Sequence, residues 1–337
     1  FRLVEVQAGE RDTPITVHLL AFSLNGFPEY EALSYAWGDA TESDVIRVVA
    51  FASCGDASST TSLPVTRSCA AALRRLRLPK KPRMLWIDAI CIDQSSVSER
   101  NHQLGLMPRI YSQAAYVVVY LGESSDAESS DEAMDWLREA QESSQTLPLP
   151  TTQGAITSLL GRPWLLRTWV LQEIRLARRA TVVCGTRDVS WEAFNQLRYH
   201  VDNDMRAEPL PYAVQSLASN SQLLEASWIP PYPARLLKLL QNTRYLEATD
   251  ARDKLYATGD RNQELFAIPK GDYSRSPAQT FTQLGRALID ALGLDVLCSV
   301  VTPSKVPGLP TWAPDWITQG LRSFRGKMPT RELESWT

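Results

Sequence analysis

The sequence predicts an α/β protein with a parallel central sheet, helices on both faces of that sheet and a mainly helical C-terminal extension. Between residues 30 and 184, short β-branched or apolar runs alternate with amphipathic stretches of helical length. This alternation is typical of a parallel sheet covered by helices. From about residue 200 the pattern changes to helical stretches separated by proline-rich loops such as WIPPYP. We therefore expect one domain over 1–195 and a helical extension over 196–337 that packs on it.

The strands of the predicted sheet are short apolar runs that end at turn residues. They are YEALSY at 30–35, the run from Met84 to Ile92, YVVVYL at 116–121 and the run from Ala180 to Cys184. β-branched residues favour strands, and glycines such as Gly122 and Gly185 end them. The second and third runs are apolar on both faces, as inner strands covered by helices must be.

The helices are predicted from caps and from apolar spacing. Thr66 is a candidate cap for a helix whose apolar face is Cys69, Ala72, Leu73 and Leu76. Ser96 and Glu99 have the spacing of a capping box, and Pro108 is expected to kink or split the helix that follows them. Further helices are expected over 131–140 and from Pro163 to about Arg178, with loops over 52–62, 123–131 and 141–154.

Composition excludes several functional classes. A net charge of −3 over 337 residues gives no general electrostatic attraction for nucleic acid. No apolar run reaches the roughly 18–20 residues of a membrane span. The five cysteines are scattered without a C-x-x-C pair, which argues against disulfides or a zinc site and favours a cytoplasmic location. With three histidines, a site that needs several histidine ligands is nearly excluded.

Candidate site residues lie where the predicted strands end. Ligands of such sheets bind beyond the carboxyl ends of the strands, which places 37–39, 91–94 and 122–123 along one rim. Asp88 interrupts the apolar run just before this rim. A buried charge needs a partner, so one interpretation is that backbone N–H groups or an arginine bind the Asp88 carboxylate. The other is that the carboxylate lines a pocket at the rim.

A second candidate is Glu173, in the stretch GRPWLLRTWVLQE at 161–173. Trp169 and Glu173 are four residues apart, so they share one helix face. A carboxylate beside an indole is partly desolvated and acts strongly at short range. The alternative is a helix-surface glutamate paired with Arg167 or Arg178.

Other catalytic arrangements have little support. Cys91 and His102 are a conceivable thiol–imidazole pair, but no third residue is indicated, and a buried cysteine is usually inert. The sequence contains no G-x-G-x-x-G, Walker A or G-x-S-x-G motif. No metal or cofactor is expected.

Several segments together resemble the fungal heterokaryon incompatibility (HET) domain over about 1–195. They are YEALSYAWGD, LPVTRSCAAALRRLR, LWIDAICIDQ, ERNHQLGLMPRIYSQA, VVVYLGE and RPWLLRTWVLQE. DARDKLYA at 250–257, DYS at 272–274 and LPTWAPDW at 309–316 resemble the extension that often follows this domain. The chain departs from the family pattern at Asp93, which stands where an asparagine is common, at Pro108, and after DARDKLYA, where ATGDR replaces an apolar stretch.

The HET domain is in turn similar to the Toll/interleukin-1 receptor (TIR) domain, which implies a TIR-like, flavodoxin-like sheet. RPWLLRTWVLQEI resembles the TIR helix that carries a catalytic glutamate, and on that resemblance Glu173 is the catalytic residue. Enzymatic TIR domains cleave the nicotinamide–ribose bond of NAD, so NAD is the implied substrate. The substrate-binding candidates are Ser34, Tyr35, Trp37, Gly38, Asp88, Cys91, Asp93, Gln94, Arg100, Arg162, Trp164, Arg167 and Trp169.

Different roles are expected within this set. Trp37, Trp164 and Trp169 could supply faces for adenine or nicotinamide, with core packing as the alternative for each. Arg100, Arg162 or Arg167 could hold phosphates.

Three functions remain open at this point, and whether the chain is an enzyme is open with them. The first is a TIR-like NAD glycohydrolase that causes cell death in fungal nonself recognition. The second is a non-catalytic signalling module that acts by self-association, which makes a homo-oligomer a possible partner arrangement. The third is a HET fold recruited as a small-molecule biosynthetic enzyme. The two enzymatic functions predict a nucleotide or other small-molecule substrate, and the signalling function predicts self-association. None of the three predicts binding to nucleic acid or to a membrane.

Overall fold

The structure is a computed structural model that describes residues 1–49, 60–124, 130–143, 153–195, 232–258 and 271–318. Its centre is a nine-stranded sheet with the strand order β5-β4-β2-β1-β6-β3-β7-β8-β9. The strands are β1 (Arg2–Val6), β2 (Thr16–Ala21), β3 (Glu31–Tyr35), β4 (Ser43–Val49), β5 (Thr60–Thr66), β6 (Arg83–Trp86), β7 (Tyr116–Tyr120), β8 (Ala180–Cys184) and β9 (Arg187–Ser190). The α/β class is confirmed.

The sheet is mixed, which corrects the expectation of a parallel sheet. β3 lies parallel to β6 and β7, and β7 lies parallel to β8, so the centre matches the prediction. β1 is antiparallel to both β2 and β6, and β9 is antiparallel to β8. Short connections force the β1–β2 and β8–β9 pairs to be antiparallel, because a parallel pair needs a long crossover. The β8–β9 turn contains Gly185 at φ +56°, a conformation that favours glycine.

Helices surround the sheet and make up the described C-terminal elements. They are α1 (Arg67–Leu76), α2 (Asp88–Cys91), α3 (Val97–Gln113), α4 (Ser130–Glu142), α5 (Gln153–Leu160), α6 (Val170–Leu176), α7 (Tyr232–Asn242), α8 (Asp253–Tyr256) and α9 (Pro277–Leu292). Two 3-10 turns cover Pro163–Leu166 and Leu294–Ser299. Thr66 caps α1, and the predicted apolar face of that helix is buried.

The run from Met84 to Ile92 is not one strand. β6 ends at Trp86, and Asp88 begins the single helical turn α2. The Asp88 carboxylate accepts a hydrogen bond from the Ala89 N–H at 2.7 Å, as an acidic side chain at a helix start often does. Apolar periodicity could not distinguish this turn from a strand, because a short buried strand and a buried helical turn have the same apolar sequence pattern.

Three further local expectations were wrong. α3 runs without a break through Pro108, so the helix is not split there, since burial of Met107, Ile110 and Tyr111 against the core holds it together. The helix expected from Pro163 to Arg178 is divided into a 3-10 turn and α6. Residues 60–62 belong to β5 and not to a loop.

The described residues beyond 232 form a second apolar core around α7, α8 and α9. Leu104 and Trp169 pack against both this core and the core of the sheet. The expected domain boundary at 195/196 borders residues 196–231, which lie outside the described residues. Most of the two expected loops over 123–131 and 141–154 also lies outside them, at 125–129 and 144–152. Within the described ranges, no helix is long and apolar enough to cross a membrane.

Candidate functional site

Glu173 lies inside the protein and not on a helix surface. It is in the first turn of α6 and is 1% exposed. The Ser34 hydroxyl on β3 donates to Glu173 Oε2, and the Trp164 indole N–H donates to Ser34 Oγ at 2.7 Å. Two fully buried side chains therefore fix the position of the carboxylate. The earlier alternative of a surface glutamate does not describe this environment.

Arg167 is the positive charge of the site. Its guanidinium donates to the main-chain oxygen of Tyr35, at the carboxyl end of β3. Burial lowers the pKa of Arg167, but the negative charges of Glu173 and Asp88 outweigh that effect and raise it above its usual value. Arg167 is thus held in its charged form between two carboxylates.

Asp88 is the second carboxylate. The Trp37 indole N–H donates to both of its oxygens, at 3.1 and 3.0 Å, and the Ala89 N–H donates to Oδ1. Burial raises the pKa of Asp88, while Arg167 and these hydrogen bonds partly counteract the rise. Trp37, Asp88 and Arg167 each keep partial solvent exposure, unlike Glu173. The cluster therefore reaches the surface on the side of Asp88.

The pKa of Glu173 is raised from 4.5 to about 7. Burial is the largest cause, and the charge of Asp88 acts in the same direction. Arg167 lowers the pKa, as do hydrogen bonding by Ser34 and the neighbouring Tyr111. Near neutral pH, Glu173 can therefore exist both as a carboxylate and as a carboxylic acid. This property is common in groups that act on substrates.

Sequence reasoning missed two polar residues beside Glu173. The hydroxyl of Tyr111, on α3, lies against the carboxylate without reaching good hydrogen-bond geometry. Gln172 is 3% exposed, and its Oε1 has no hydrogen-bond partner among the described residues. Buried polar atoms of this kind call for a water molecule or a polar ligand group. Tyr111 is buried on α3 together with Met107 and Ile110, and nothing in its spacing marks its hydroxyl as polar lining.

Ser34 and Tyr35 are neighbours on β3, so their side chains point to opposite faces of the sheet. Ser34 faces α6 and Glu173. The Tyr35 ring faces Cys69 on α1, and the Asp88 charge on α2 also acts on its hydroxyl. Only the main-chain oxygen of Tyr35 takes part in the cluster.

The segment 91–94 contacts the cluster at the main-chain oxygen of Asp88. Gln94 Nε2 donates to this oxygen at 3.0 Å, and the Ile92 N–H donates to it at 3.2 Å. The Asp93 carboxylate is exposed and accepts hydrogen bonds from the N–H and hydroxyl of Ser95. Cys91 is buried, and burial raises the pKa of its thiol to about 12, while His102 is exposed. These positions do not form the thiol–imidazole pair considered above.

The remaining candidates make other contacts in the fold. Arg162 donates to the Glu123 main-chain oxygen and to Ser130 Oγ, so it holds loop and helix ends together. The Arg100 guanidinium lies 5.1 Å from the centre of the Tyr273 ring. Trp164 is fully buried, Trp169 precedes α6, and Gly38 is exposed at φ +74°. The structure thus brings together Ser34, Trp37, Asp88, Trp164, Arg167 and Glu173.

Metal chemistry has no candidate site in the parts of the chain that the structure describes. No group of three or more histidine, cysteine, aspartate or glutamate side chains there could hold an ion. The chemistry of the cluster is therefore that of two carboxylates, one guanidinium and the hydroxyl and indole groups around them.

Comparisons with known proteins agree with the resemblance seen in the sequence. Residues 30–173 match the family model described as "Heterokaryon incompatibility protein (HET)". The chain is 26% identical to "Heterokaryon incompatibility protein 6, OR allele" of Neurospora crassa, over 383 aligned positions that cover 89% of the chain. The chain spans 55% of the length of that relative. No solved structure matches the chain.

The matched range begins one residue before β3 and ends at Glu173. It therefore contains the six residues of the cluster, from Ser34 to Glu173. The family model and the curated relative together support the heterokaryon incompatibility family for this chain.

Proposed function

We propose that this chain acts in fungal nonself recognition, and that the cluster around Glu173 cleaves the N-glycosidic bond of a nicotinamide nucleotide such as NAD. The family match and the name of the relative support the first part. One observation supports the second: Glu173 is a fully buried carboxylate with a pKa near neutrality, fixed by Ser34 and placed beside Arg167.

The proposed reaction needs few groups. The C1′–N bond breaks, and its electron pair goes to the nicotinamide nitrogen, so nicotinamide leaves as a neutral molecule and no general acid is required. A water oxygen forms the new bond to C1′, and one proton is released. The ribose passes through a state that resembles an oxocarbenium ion. An ionised Glu173 in a poorly solvated position stabilises that positive charge.

The other groups have supporting roles in this proposal. Asp88 adds a second negative charge on the side of the cluster that reaches the surface. Arg167 offers a fixed guanidinium that suits a phosphate oxygen. The indole of Trp37 is partly exposed and already oriented by Asp88, so its free face suits a nucleotide base.

The test is NAD turnover by the protein and by Glu173→Gln, with nicotinamide release measured by chromatography. The amide is nearly the same size, so the fold should persist. Loss of the charge should lower kcat by about 100- to 1000-fold, since removing one preorganised electrostatic group costs about 3–4 kcal/mol. The matched control is Glu139→Gln, which changes an exposed glutamate on α4 and should retain full activity.

The pH profile supplies a second criterion. The active form is the ionised carboxylate, so kcat/KM should rise as the pH passes through about 7, the pKa of Glu173. Equal turnover by the wild type and Glu173→Gln would exclude this mechanism. Absence of turnover in both would exclude NAD hydrolysis and favour a non-catalytic signalling module.

A further inference from the structure

The C-terminal region is connected to the segment that carries Arg167 through main-chain hydrogen bonds. The Thr168 N–H and hydroxyl both donate to the main-chain oxygen of Glu247, at 3.0 and 2.9 Å. The Glu247 N–H donates in return to the Leu166 main-chain oxygen at 2.5 Å. Arg167 lies between these two anchored residues. Its backbone therefore depends on a residue that is about 80 positions away in the sequence.

A second connection reaches Glu173 through Trp169. Asp253, 7% exposed, accepts a hydrogen bond from the Tyr273 hydroxyl at 2.7 Å, and the Trp169 side chain lies beside its carboxylate and packs on the same C-terminal core. The main-chain oxygen of Trp169 accepts hydrogen bonds from the N–H groups of Gln172 and Glu173, at 3.0 and 3.2 Å. Asp253 thus holds the residue from which the first turn of α6 is built.

Lys254 supports the same arrangement. It is 3% exposed, and its Nζ donates to the main-chain oxygens of Thr243, Arg244 and Leu246. A buried ammonium group requires several acceptors, and here they form the turn that leads into Glu247. The adjacent residues Asp253 and Lys254 therefore organise both connections.

We propose that Asp253 is a positioning residue for Glu173, and that residues 243–258 are a working part of the site and not an appended domain. The proposal rests on the proposed function for the reaction it serves, but the geometry can be tested without that reaction. Asp253 acts through Trp169 and does not itself contact the six-residue cluster.

The test compares Asp253→Asn with Asn101→Ala. Asparagine keeps the size of the side chain but replaces one acceptor oxygen by an NH₂ group, so either the Tyr273 hydroxyl or the Trp169 indole N–H faces a donor in place of an acceptor. Asn101 also joins the sheet domain to the C-terminal region, since its Oδ1 accepts from the Tyr273 N–H at 2.9 Å. That contact comes from α3 and does not involve residues 166–173, so Asn101→Ala is the matched control.

Hydrogen exchange of the peptide over 168–176, followed by mass spectrometry, measures the positioning directly. Exchange should accelerate several-fold in Asp253→Asn and stay at the wild-type rate in Asn101→Ala. Unchanged exchange in Asp253→Asn, or equal acceleration in both variants, would overturn the proposal.

Kinetics give a readout that a merely structural contact would not change. Asp253→Asn should lower kcat by about 10- to 100-fold while KM stays the same, because a small misplacement of a reacting group has effects of that size. Trp169→Phe, which removes the indole beside Asp253, should add little to Asp253→Asn in the double variant. Fully additive losses would contradict the connection through Trp169. If the wild type lacks NAD turnover but the exchange result holds, the proposed function fails and the positioning role stands.

Discussion

Substitution of Glu173 by glutamine should stabilise the protein at alkaline pH. The folded protein raises the pKa of this carboxyl to about 7, mainly because burial disfavours its charged form. An unfolded chain leaves the same group near its ordinary value of 4.5. Ionised Glu173 therefore has a higher free energy in the folded protein than in water, despite the stabilising effects of Arg167 and Ser34. A neutral amide of the same shape avoids this cost.

The size and sign of the effect follow from linkage. A difference between 4.5 and about 7 corresponds to about 3 kcal/mol, since each pH unit is worth about 1.4 kcal/mol. Below pH 4.5 both states are protonated and Glu173 costs nothing. Between pH 4.5 and 7 the folded state binds more protons than the unfolded state, so its stability falls as the pH rises. Above pH 7 the whole cost is present.

Urea denaturation of the wild type and Glu173→Gln at pH 5 and pH 8 measures this effect. We expect the variant to be more stable by about 1–3 kcal/mol at pH 8 and close to the wild type at pH 5. The lower bound allows for a poorer hydrogen bond between the amide and Ser34. Using the difference between the two proteins removes the contribution of Asp253, whose pKa is also raised, to about 6, by burial. A variant that is less stable at pH 8 than at pH 5, relative to wild type, would refute the reasoning.

Two other substitutions have defined outcomes. Trp37→Phe removes the donor to both oxygens of Asp88. It should destabilise the fold by about 1–3 kcal/mol at pH 7, and by less at acidic pH, because burial raises the pKa of Asp88 and favours its neutral form there. An equal loss at neutral and acidic pH in urea denaturation would indicate packing instead. Burial lowers the pKa of Lys254 to about 8, so between pH 8 and 10.5 the folded wild type binds fewer protons than the unfolded chain and gains stability as the pH rises. Lys254→Met should abolish this rise in stability. Thermal melts of both proteins at pH 8 and pH 10 measure it.

Strong local signals predicted much of the fold. β7 and β8 are β-branched runs closed by glycine, and α1 follows a capping threonine, so periodicity and caps agreed there. The strands β1, β2, β4, β5 and β9 were not predicted, although RLVEV in β1 alternates in part as a half-buried strand does. Their antiparallel pairing makes the sheet mixed. This pairing depends on connection length and partner choice, which no single run of residues reveals.

The sequence predicted the residue types of the site and their position at the rim of the sheet, but not which side chains contact one another. Spacing brought Trp169 and Glu173 onto one helix face, yet it suggested a surface position for Glu173. Its burial depends on Ser34 and Tyr111, which come from β3 and α3. The expectation that ligands bind beyond the carboxyl ends of the strands placed 91–94 near the ligand. In the structure, the turn α2 brings Asp88 to the cluster, and the Asp93 side chain is exposed to solvent. Long-range packing decides such details, and one sequence does not encode them in any local pattern.

The charge balance of the cluster argues for a functional origin. Glu173 and Asp88 face one guanidinium, that of Arg167, so the ionised cluster carries one surplus negative charge. A core shaped for stability alone would do as well with apolar residues, because buried ion pairs seldom repay their desolvation. Here the burial of ionised Glu173, with Asp88 nearby, destabilises the fold by about 3 kcal/mol at alkaline pH. A fixed, poorly solvated negative charge is what a cationic transition state requires. The same property therefore makes Glu173 a liability for folding and the best candidate for catalysis.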